Sequence, residues 1–188
     1  MSKAKNIWGG KLNTLLILAL IILVAFKNLD SNPEKEGILP NNNIVHIGIV
    51  VEDIETSLDK WLKLLGLEKR PDIRMVTGHK DNPTQYKGKP SDARAKIVFI
   101  RAENIQIELL EPIGKEDSFW QDFLDQHGPA VHHVGLNVKN LGETYVDIFE
   151  KEGYPLLQHG GWNGGEYGYM DSQKDLGVVI ELLENYSK

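Results

Sequence analysis

The chain contains no cysteine among its 188 residues. This absence excludes disulfide frameworks, thiolate metal sites, a cysteine nucleophile and a lipid-modified N-terminal cysteine. Any metal site in this protein must therefore be built from nitrogen and oxygen ligands.

Positive charge is also in short supply, with 21 lysines and arginines against 27 aspartates and glutamates and a formal net charge of -6. Nucleic-acid-binding proteins carry a basic stripe, so we expect no nucleic-acid partner. Residues 69–101 depart from this balance, with nine basic residues and three aspartates. This basic stretch either meets an anionic ligand or is a solvated loop, and both interpretations stay open.

A long apolar run occurs only near the N-terminus, at residues 15–26, where it follows Lys3, Lys5 and Lys11. A basic segment followed by an apolar one is typical of an export signal. No small-residue cleavage site follows, which favours an uncleaved anchor with its N-terminus in the cytoplasm. We therefore predict an anchor or signal segment at residues 1–30, with the folded part membrane-anchored and extracytoplasmic, or exported.

A linker rich in proline, asparagine and charge is predicted at residues 31–43. Beyond it, one sequence pattern occurs twice, and both copies end in the letters IELLE, at residues 107–111 and 180–184. Such a repeat indicates two copies of one supersecondary unit. Five matching pairs are spaced 87 residues apart: His46 and His133, Gly48 and Gly135, Val51 and Val138, Ile54 and Leu141, Gly66 and Gly153.

Each copy has the pattern of a β-α-β-β-β unit, because an alternating apolar strand precedes an amphipathic helix and three more apolar runs. The sequence thus predicts an α+β domain at residues 44–184. Its modules are residues 44–112 and 131–184, joined by a connecting helix at residues 115–128. The predicted strands are 44–51, 68–76, 95–101, 104–111, 131–138, 155–159, 166–171 and 178–183, and the module helices are 54–65 and 141–152.

Alternation of side chains along a strand decides which polar residues face the side away from the helices. By this parity His46 and His133 lie on that side, whereas His132 shares the helix-facing parity. Glu108 and Glu181 lie opposite the apolar residues of their strands, and burying a carboxylate there is costly without a compensating cation. Two histidines and two glutamates at repeated positions predict a four-ligand N2O2 site for a divalent metal.

A single histidine or glutamate on a strand is more often a hydrogen-bonded core or rim residue than a metal ligand. The metal interpretation is favoured because a His-Glu pair recurs at equivalent positions, His46 with Glu108 in the first copy and His133 with Glu181 in the second. We expect His132 to lie at a strand entry or to support a ligand. Three further histidines are predicted to lie in loops without a role: His79, His127 and His159. In the glycine-rich turn, ordinary packing is favoured over pocket lining for three aromatic residues: Trp162, Tyr167 and Tyr169.

The stretches VHIGIVVEDIETSLDKWLKLLGL, IQIELLEP, AVHHVGLNV and GVVIELLE resemble the vicinal oxygen chelate superfamily, over about residues 44–184. The motifs are most similar to the methylmalonyl-CoA epimerase and glyoxalase I members. The resemblance implies two βαβββ modules forming a cup-shaped mixed sheet. It also implies that His46, Glu108, His133 and Glu181 bind a divalent metal, with nickel, cobalt, manganese and zinc all compatible.

The resemblance further implies a proton-transfer isomerase, epimerase or lyase acting on a small oxygen-chelating substrate, with Glu181 as base and Glu108 opposite it. Residues 95–100 offer no additional acid, so a second base has to come from the ligands themselves. An exported domain does not ordinarily meet a coenzyme A thioester or a glutathione adduct, which points to another substrate.

Two other functions stay open at this point. One is a metal-free small-molecule binding protein of the antibiotic-sequestering type. The other is a ring-cleaving dioxygenase with iron held by two histidines and one carboxylate, which the extra carboxylate of Glu108 disfavours. The sequence also leaves open whether one chain or a homodimer completes the cup.

Overall fold

A computed structural model describes residues 37–186 of the chain. The strands are β1 (Ile44–Val50), β2 (Arg74–Thr77), β3 (Gln85–Tyr86), β4 (Lys89–Pro90), β5 (Arg94–Arg101), β6 (Gln106–Ile113), β7 (Ala130–Asn137), β8 (Leu156–Trp162), β9 (Gly165–Met170) and β10 (Val179–Asn185). The helices are α1 (Ile54–Leu65), α2 (Phe119–His127), α3 (Val146–Lys151) and α4 (Gln173–Leu176), and a π-helical turn, Leu141–Tyr145, leads into α3.

All ten strands form one curled mixed sheet, in the order β2-β5-β6-β1-β7-β10-β9-β8-β3-β4. Within each module the first and last strands are parallel neighbours, β1 with β6 and β7 with β10. The modules join where β1 and β7 pair in antiparallel orientation. The predicted cup of two βαβββ modules is thereby confirmed. The first strands of the two modules, β1 and β7, lie side by side in the middle of the sheet.

Apolar residues cover both faces of the sheet, and each module helix packs on its own strands. The α1 cluster consists of Val51, Ile54, Leu58, Val98, Ile100, Ile107 and Leu109. The cluster of the second module consists of Leu136, Val138, Leu141, Phe149, Met170, Ile180 and Leu182. The connecting helix α2 packs on the other face, with Val50, Ala93, Ala95, Leu110, Trp120, Phe123, Tyr169 and Val179. It therefore fills one end of the cup and leaves the rest of that face for a site.

The structure corrects several predicted element boundaries. The strand predicted at residues 68–76 is limited to Arg74–Thr77, and the helix predicted at 141–152 begins as a π-helical turn. The hairpin of β3 and β4 was not predicted, because its strands are two residues long and carry no periodicity. It leaves module one and pairs with β8 at the far edge of module two.

The last glutamate of each IELLE stretch stabilises the start of its module's helix. The carboxylate of Glu111 accepts a hydrogen bond from the backbone N–H of Ile54, at 2.9 Å. The carboxylate of Glu184 accepts from the N–H groups of Asn140 and Leu141, at 2.9 and 2.7 Å. Helix N-termini carry unpaired N–H donors and a partial positive charge, so a carboxylate satisfies both needs there.

No helix within residues 37–186 is long and apolar enough to cross a membrane. The anchor predicted at residues 1–30 and the first part of the predicted linker lie outside the described residues.

We expect Glu184→Gln to destabilise the fold by about 1 kcal/mol, since an amide can accept at one oxygen only and carries no charge. Asn140 makes no side-chain cap of its own that could replace the carboxylate. Urea unfolding followed by circular dichroism measures the change. Glu150→Gln, at an exposed position of α3, is the control and should leave the midpoint unchanged. Equal midpoints for the two variants would contradict the capping role.

Candidate metal centre

The four predicted ligands converge on the open face of the sheet. Nε2 of His46 lies 2.8 Å from Oε2 of Glu181 and 3.0 Å from Nε2 of His133. Nε2 of His133 lies 3.1 Å from Oε2 of Glu108. One donor atom from each residue falls within 4.8 Å of the others. All four side chains belong to one chain, so this cluster is complete without a second copy, and homodimer formation stays a prediction.

Strand register brings the donors together across the module boundary. Gly48 lies between Glu108 on β6 and His133 on β7, and Gly135 lies between His46 on β1 and Glu181 on β10. Residues that pair directly point to the same face of a sheet. Each histidine is thus nearest to the glutamate of the other module, whereas sequence reasoning had grouped each histidine with the glutamate of its own module.

Gly48 and Gly135 are functional positions that sequence reasoning matched in the repeat without giving them a role. A methyl group on Gly48 would overlap the imidazole of His133, and one on Gly135 would lie 2.5 Å from Cε1 of His46. Each imidazole therefore lies over the glycine of the neighbouring strand. The available signal was a glycine inside a strand, two residues after each histidine, because such glycines often mark a close approach.

The donors are buried, with exposed fractions of 4% for His46, 6% for Glu108, 0% for His133 and 4% for Glu181. Burial by itself lowers the pKa of His46, but the hydrogen bond and charge of Glu181 and the charge of Glu108 outweigh it, so that pKa is raised. Burial likewise raises the pKa of Glu181, but the charge of His133 and the hydrogen bond and charge of His46 reverse it to a net lowering. The carboxylate of Glu181 is thus stabilised by positive charge.

The donor set fits a divalent cation. Two imidazole nitrogens and two carboxylate oxygens are a ligand combination that zinc and its neighbours in the first transition row accept. Oε2 of Glu181 is buried, with Nε2 of His46 at 2.8 Å and Nε2 of His133 at 3.4 Å. A cation would compensate the charge of the two buried carboxylates, which are costly to bury without positive charge nearby. The role of the four residues as ligands stays a prediction.

His132 does not face the helix side, because β7 contains a bulge. His133 pairs with Gly48 and Val131 pairs with Ile49, which leaves His132 as an extra residue. The bulge turns its ring toward the open face, where Nδ1 lies 2.9 Å from Nδ1 of His133. Burial, followed by the charge of His133, lowers the pKa of His132 well below its usual value and keeps the ring neutral. His132 thus fixes the orientation of the His133 ring, the support expected for a ligand.

A cavity of about 660 Å³ opens onto the donor cluster. Trp162, Tyr167 and Tyr169 line it. Tyr169 also belongs to the core cluster around α2 and Tyr167 packs against that cluster, so the favoured packing role holds for these two residues together with the lining role. Within the described part of the chain, the acidic residues among its lining are Glu108 and Glu181. Proton transfer in this cavity by a carboxylate therefore depends on these two groups.

The other three histidines do not join the cluster, and two of them do not lie in loops as predicted. His127 is the last residue of α2, and His159 lies in β8 with its Nε2 2.7 Å from Oε2 of Glu166. His79 is in a loop as predicted, and its side chain contributes to the cavity lining.

Fold and site together define a two-module cup protein with a buried cluster of nitrogen and oxygen donors facing a cavity. A family model described as the Glyoxalase/Bleomycin resistance protein/Dioxygenase superfamily matches residues 45–170. The chain belongs to this superfamily.

Human mitochondrial methylmalonyl-CoA epimerase is 24% identical to the chain over 140 residues, which cover 73% of this chain and 70% of the human protein. The methylmalonyl-CoA epimerase of Mycobacterium tuberculosis has a similar structure, with a TM-score of 0.53, 19% identity and coverage of 82% of this chain and 95% of that one. A hypothetical protein from Bacillus halodurans gives a TM-score of 0.52 and 21% identity, covering 78% and 96%. At these identities the structural matches show the fold.

We expect Gly135→Ala to weaken binding of Ni²⁺ at least about tenfold, because the new methyl group forces the His46 ring away from the other donors. Titration calorimetry with the full-length chain measures the affinity, and far-UV circular dichroism checks the fold. Gly142→Ala is the matched control, since no atom lies within 4 Å of a methyl group there. Unchanged affinity in Gly135→Ala would show that the His46 position is unimportant for the cation.

Proposed function

We propose that the protein is a divalent-metal-dependent enzyme that moves a proton at a carbon next to a carbonyl, as an isomerase, epimerase or lyase. The observation that carries this proposal is the cluster of His46, Glu108, His133 and Glu181, whose donor atoms lie within 4.8 Å of one another beside a cavity. Similarity to methylmalonyl-CoA epimerases supports the same class of chemistry.

His46, Glu108, His133 and Glu181 would hold the cation, and a six-coordinate cation held by four protein ligands would keep two positions for a chelating substrate. A divalent cation bound there would polarise the substrate's carbonyl oxygen and stabilise the negative charge that develops as the neighbouring carbon loses its proton.

Glu181 is the proposed base. Nearby histidines lower the pKa of its carboxyl group, so the group is held as a carboxylate, the form that can accept a proton. Proton transfer requires the base to be within hydrogen-bonding distance of the substrate carbon's proton, which the cavity-lining position allows. Nε2 of His46, 2.8 Å away, orients this carboxylate.

Glu108 is the proposed second acid or base, on the other side of the histidine pair. Strand β5 contributes Ile97 and Phe99 to the cavity lining, and neither residue is an acid that could serve as a further base. Phe99 instead packs edge-on against the His46 ring, with centroids 5.7 Å apart. A reaction that needs a base on each face of the carbon must therefore use both glutamates.

A metal-free binding protein is the second candidate, and the aromatic cavity is the observation that favours it. Trp120, Trp162, Tyr167 and Tyr169 all line the space next to the donors. Aromatic walls of this kind hold small ligands without any chemistry. The dioxygenase alternative is weaker, because such an iron site uses two histidines and one carboxylate, and this cluster has a second carboxylate from Glu108.

Metal analysis and a proton-exchange assay together test the proposal. We expect the purified full-length chain to hold about one equivalent of a transition metal, as a four-ligand site does. We then incubate the protein in D2O with small 2-oxo, 2-hydroxy and malonyl compounds, including methylmalonyl-CoA. For at least one compound, the hydrogen on the carbon next to the carbonyl should be replaced by deuterium. NMR detects this exchange. At saturating metal, Glu181→Gln should slow it by about 100-fold or more.

The control variant is Glu143→Gln, at an exposed position in the π-helical turn. It should keep wild-type exchange and metal content. A chain that holds no stoichiometric metal but binds a ligand supports the binding-protein candidate. Iron together with oxygen uptake supports the dioxygenase, and full exchange in Glu181→Gln removes this residue as the base.

We also propose that the N-terminal segment places the folded domain outside the cytoplasm, on the evidence of the basic flank and the apolar run at residues 15–26. Alkaline phosphatase fused to the C-terminus should be active and a fluorescent reporter that folds only in the cytoplasm should be dark. The opposite pattern would put coenzyme A thioesters back among the reachable substrates.

A further inference from the structure

The cavity contains one strongly basic side chain. Among the lining residues in the described part of the chain, Arg74 is the one lysine or arginine, and Glu108 and Glu181 are the acids. A divalent cation at the donor cluster would offset the two carboxylates, and with neutral histidines Arg74 leaves the cavity with a net positive charge. A concave site of one sign attracts ligands of the other sign.

Strand register places Arg74 on the same face as the donors. Arg74 on β2 pairs with Ile97 on β5, which pairs with Leu110 on β6, two residues beyond Glu108. Two strand spacings and one two-residue step put the Cα atoms of Arg74 and Glu108 about 12 Å apart. A small molecule bound at the donors can therefore reach toward the long side chain of Arg74.

Arg74 is also available to a ligand. Two other arginines of the same basic stretch are paired, Arg70 with Glu55 and Asp59, and Arg94 with Glu116, whereas the exposed Arg101 makes no ion pair among the described residues. Within residues 37–186, Arg74 makes no such ion pair either, and it is exposed on β2, the strand at one edge of the sheet. A guanidinium in this position fits a carboxylate, which it can bind through two parallel hydrogen bonds.

A second donor faces the same cavity. Trp120 is 4% exposed and lines the cavity. Within residues 37–186 its Nε1 makes no hydrogen bond of good geometry, although the Tyr169 hydroxyl lies near it. Its ring packs in the cluster that contains Leu110, the residue in the same row as Arg74. Buried tryptophan N–H groups usually have an acceptor, so this one is available to an oxygen atom of a molecule bound in the cavity.

We propose that the substrate is a small carboxylic acid whose other end carries the metal-chelating oxygens, with Arg74 binding the carboxylate and Nε1 of Trp120 donating to a substrate oxygen. This inference rests on the proposed function and names its substrate class. It also assigns a ligand to part of the basic stretch at residues 69–101.

Two matched probes test it by titration calorimetry on the full-length chain loaded with Ni²⁺. Glutaric acid monohydroxamate presents two chelating oxygens and a distal carboxylate, and its methyl ester lacks the charge. We expect the acid to bind about tenfold more tightly than the ester, as a charge-assisted pair provides. Arg74→Gln should remove this preference, and Arg74→Lys should keep part of it.

Arg101→Gln is the matched control, because Arg101 is exposed on β5 and does not line the cavity. It should retain the full preference for the acid. Trp120→Phe should weaken the binding of both probes to a similar extent, since Nε1 of Trp120 donates to an oxygen and does not contact the distal charge.

Other outcomes separate this inference from the proposed function. If the loaded protein binds both probes equally, the carboxylate substrate class is wrong and the metal centre stands. If the preference for the acid survives in Arg74→Gln, Arg74 is not the group that binds the anion. If the chain takes up no Ni²⁺, or the loaded chain binds neither probe, the proposed function fails and this inference falls with it.

Discussion

The antiparallel pairing of β1 with β7 is the constraint on which the rest of the site depends. It sets His46 opposite Gly135 and Gly48 opposite His133, so that each imidazole lies over a residue without a side chain. A shift of one residue would reverse the faces of all the side chains on one of these strands and separate the two rings. The parallel neighbours β6 and β10 then each place a glutamate beside one of these glycines, Glu108 beside Gly48 and Glu181 beside Gly135.

The repeated IELLE stretch divides two tasks between its glutamates. The first, Glu108 or Glu181, faces the cavity, and the second, Glu111 or Glu184, accepts hydrogen bonds from the N-terminus of its module's helix. The two positions are three residues apart and so have opposite parity on a strand. A single short motif therefore stabilises the start of the module helix on one face of the sheet and supplies a donor to the cluster on the other face.

Departures from regular structure modify this symmetric frame. Each central strand carries an extra residue at the same repeat position, Val45 in β1 and His132 in β7. In β7 this residue is a histidine, which places a buried neutral ring beside His133. The hairpin of β3 and β4 extends the sheet beyond β8, and α2 closes one end of the cup. Module two supplies Tyr167 and Tyr169 to the cavity, whereas module one supplies Arg74. The donors are thus symmetric, and the cavity around them is not.

The sequence by itself determined the two modules, the strand faces of His46, His133, Glu108 and Glu181, and the presence of an N-terminal apolar segment. These follow from local periodicity and from the repeat, both of which are properties of neighbouring residues. Only the tertiary structure decided that each histidine meets the glutamate of the other module and that Gly48 and Gly135 make this possible. It also decided that His132 turns to the open face and that Arg74 and Trp120 share its cavity. Those facts depend on strand register, a bulge and chain crossover, which are fixed by pairing between residues distant in the sequence.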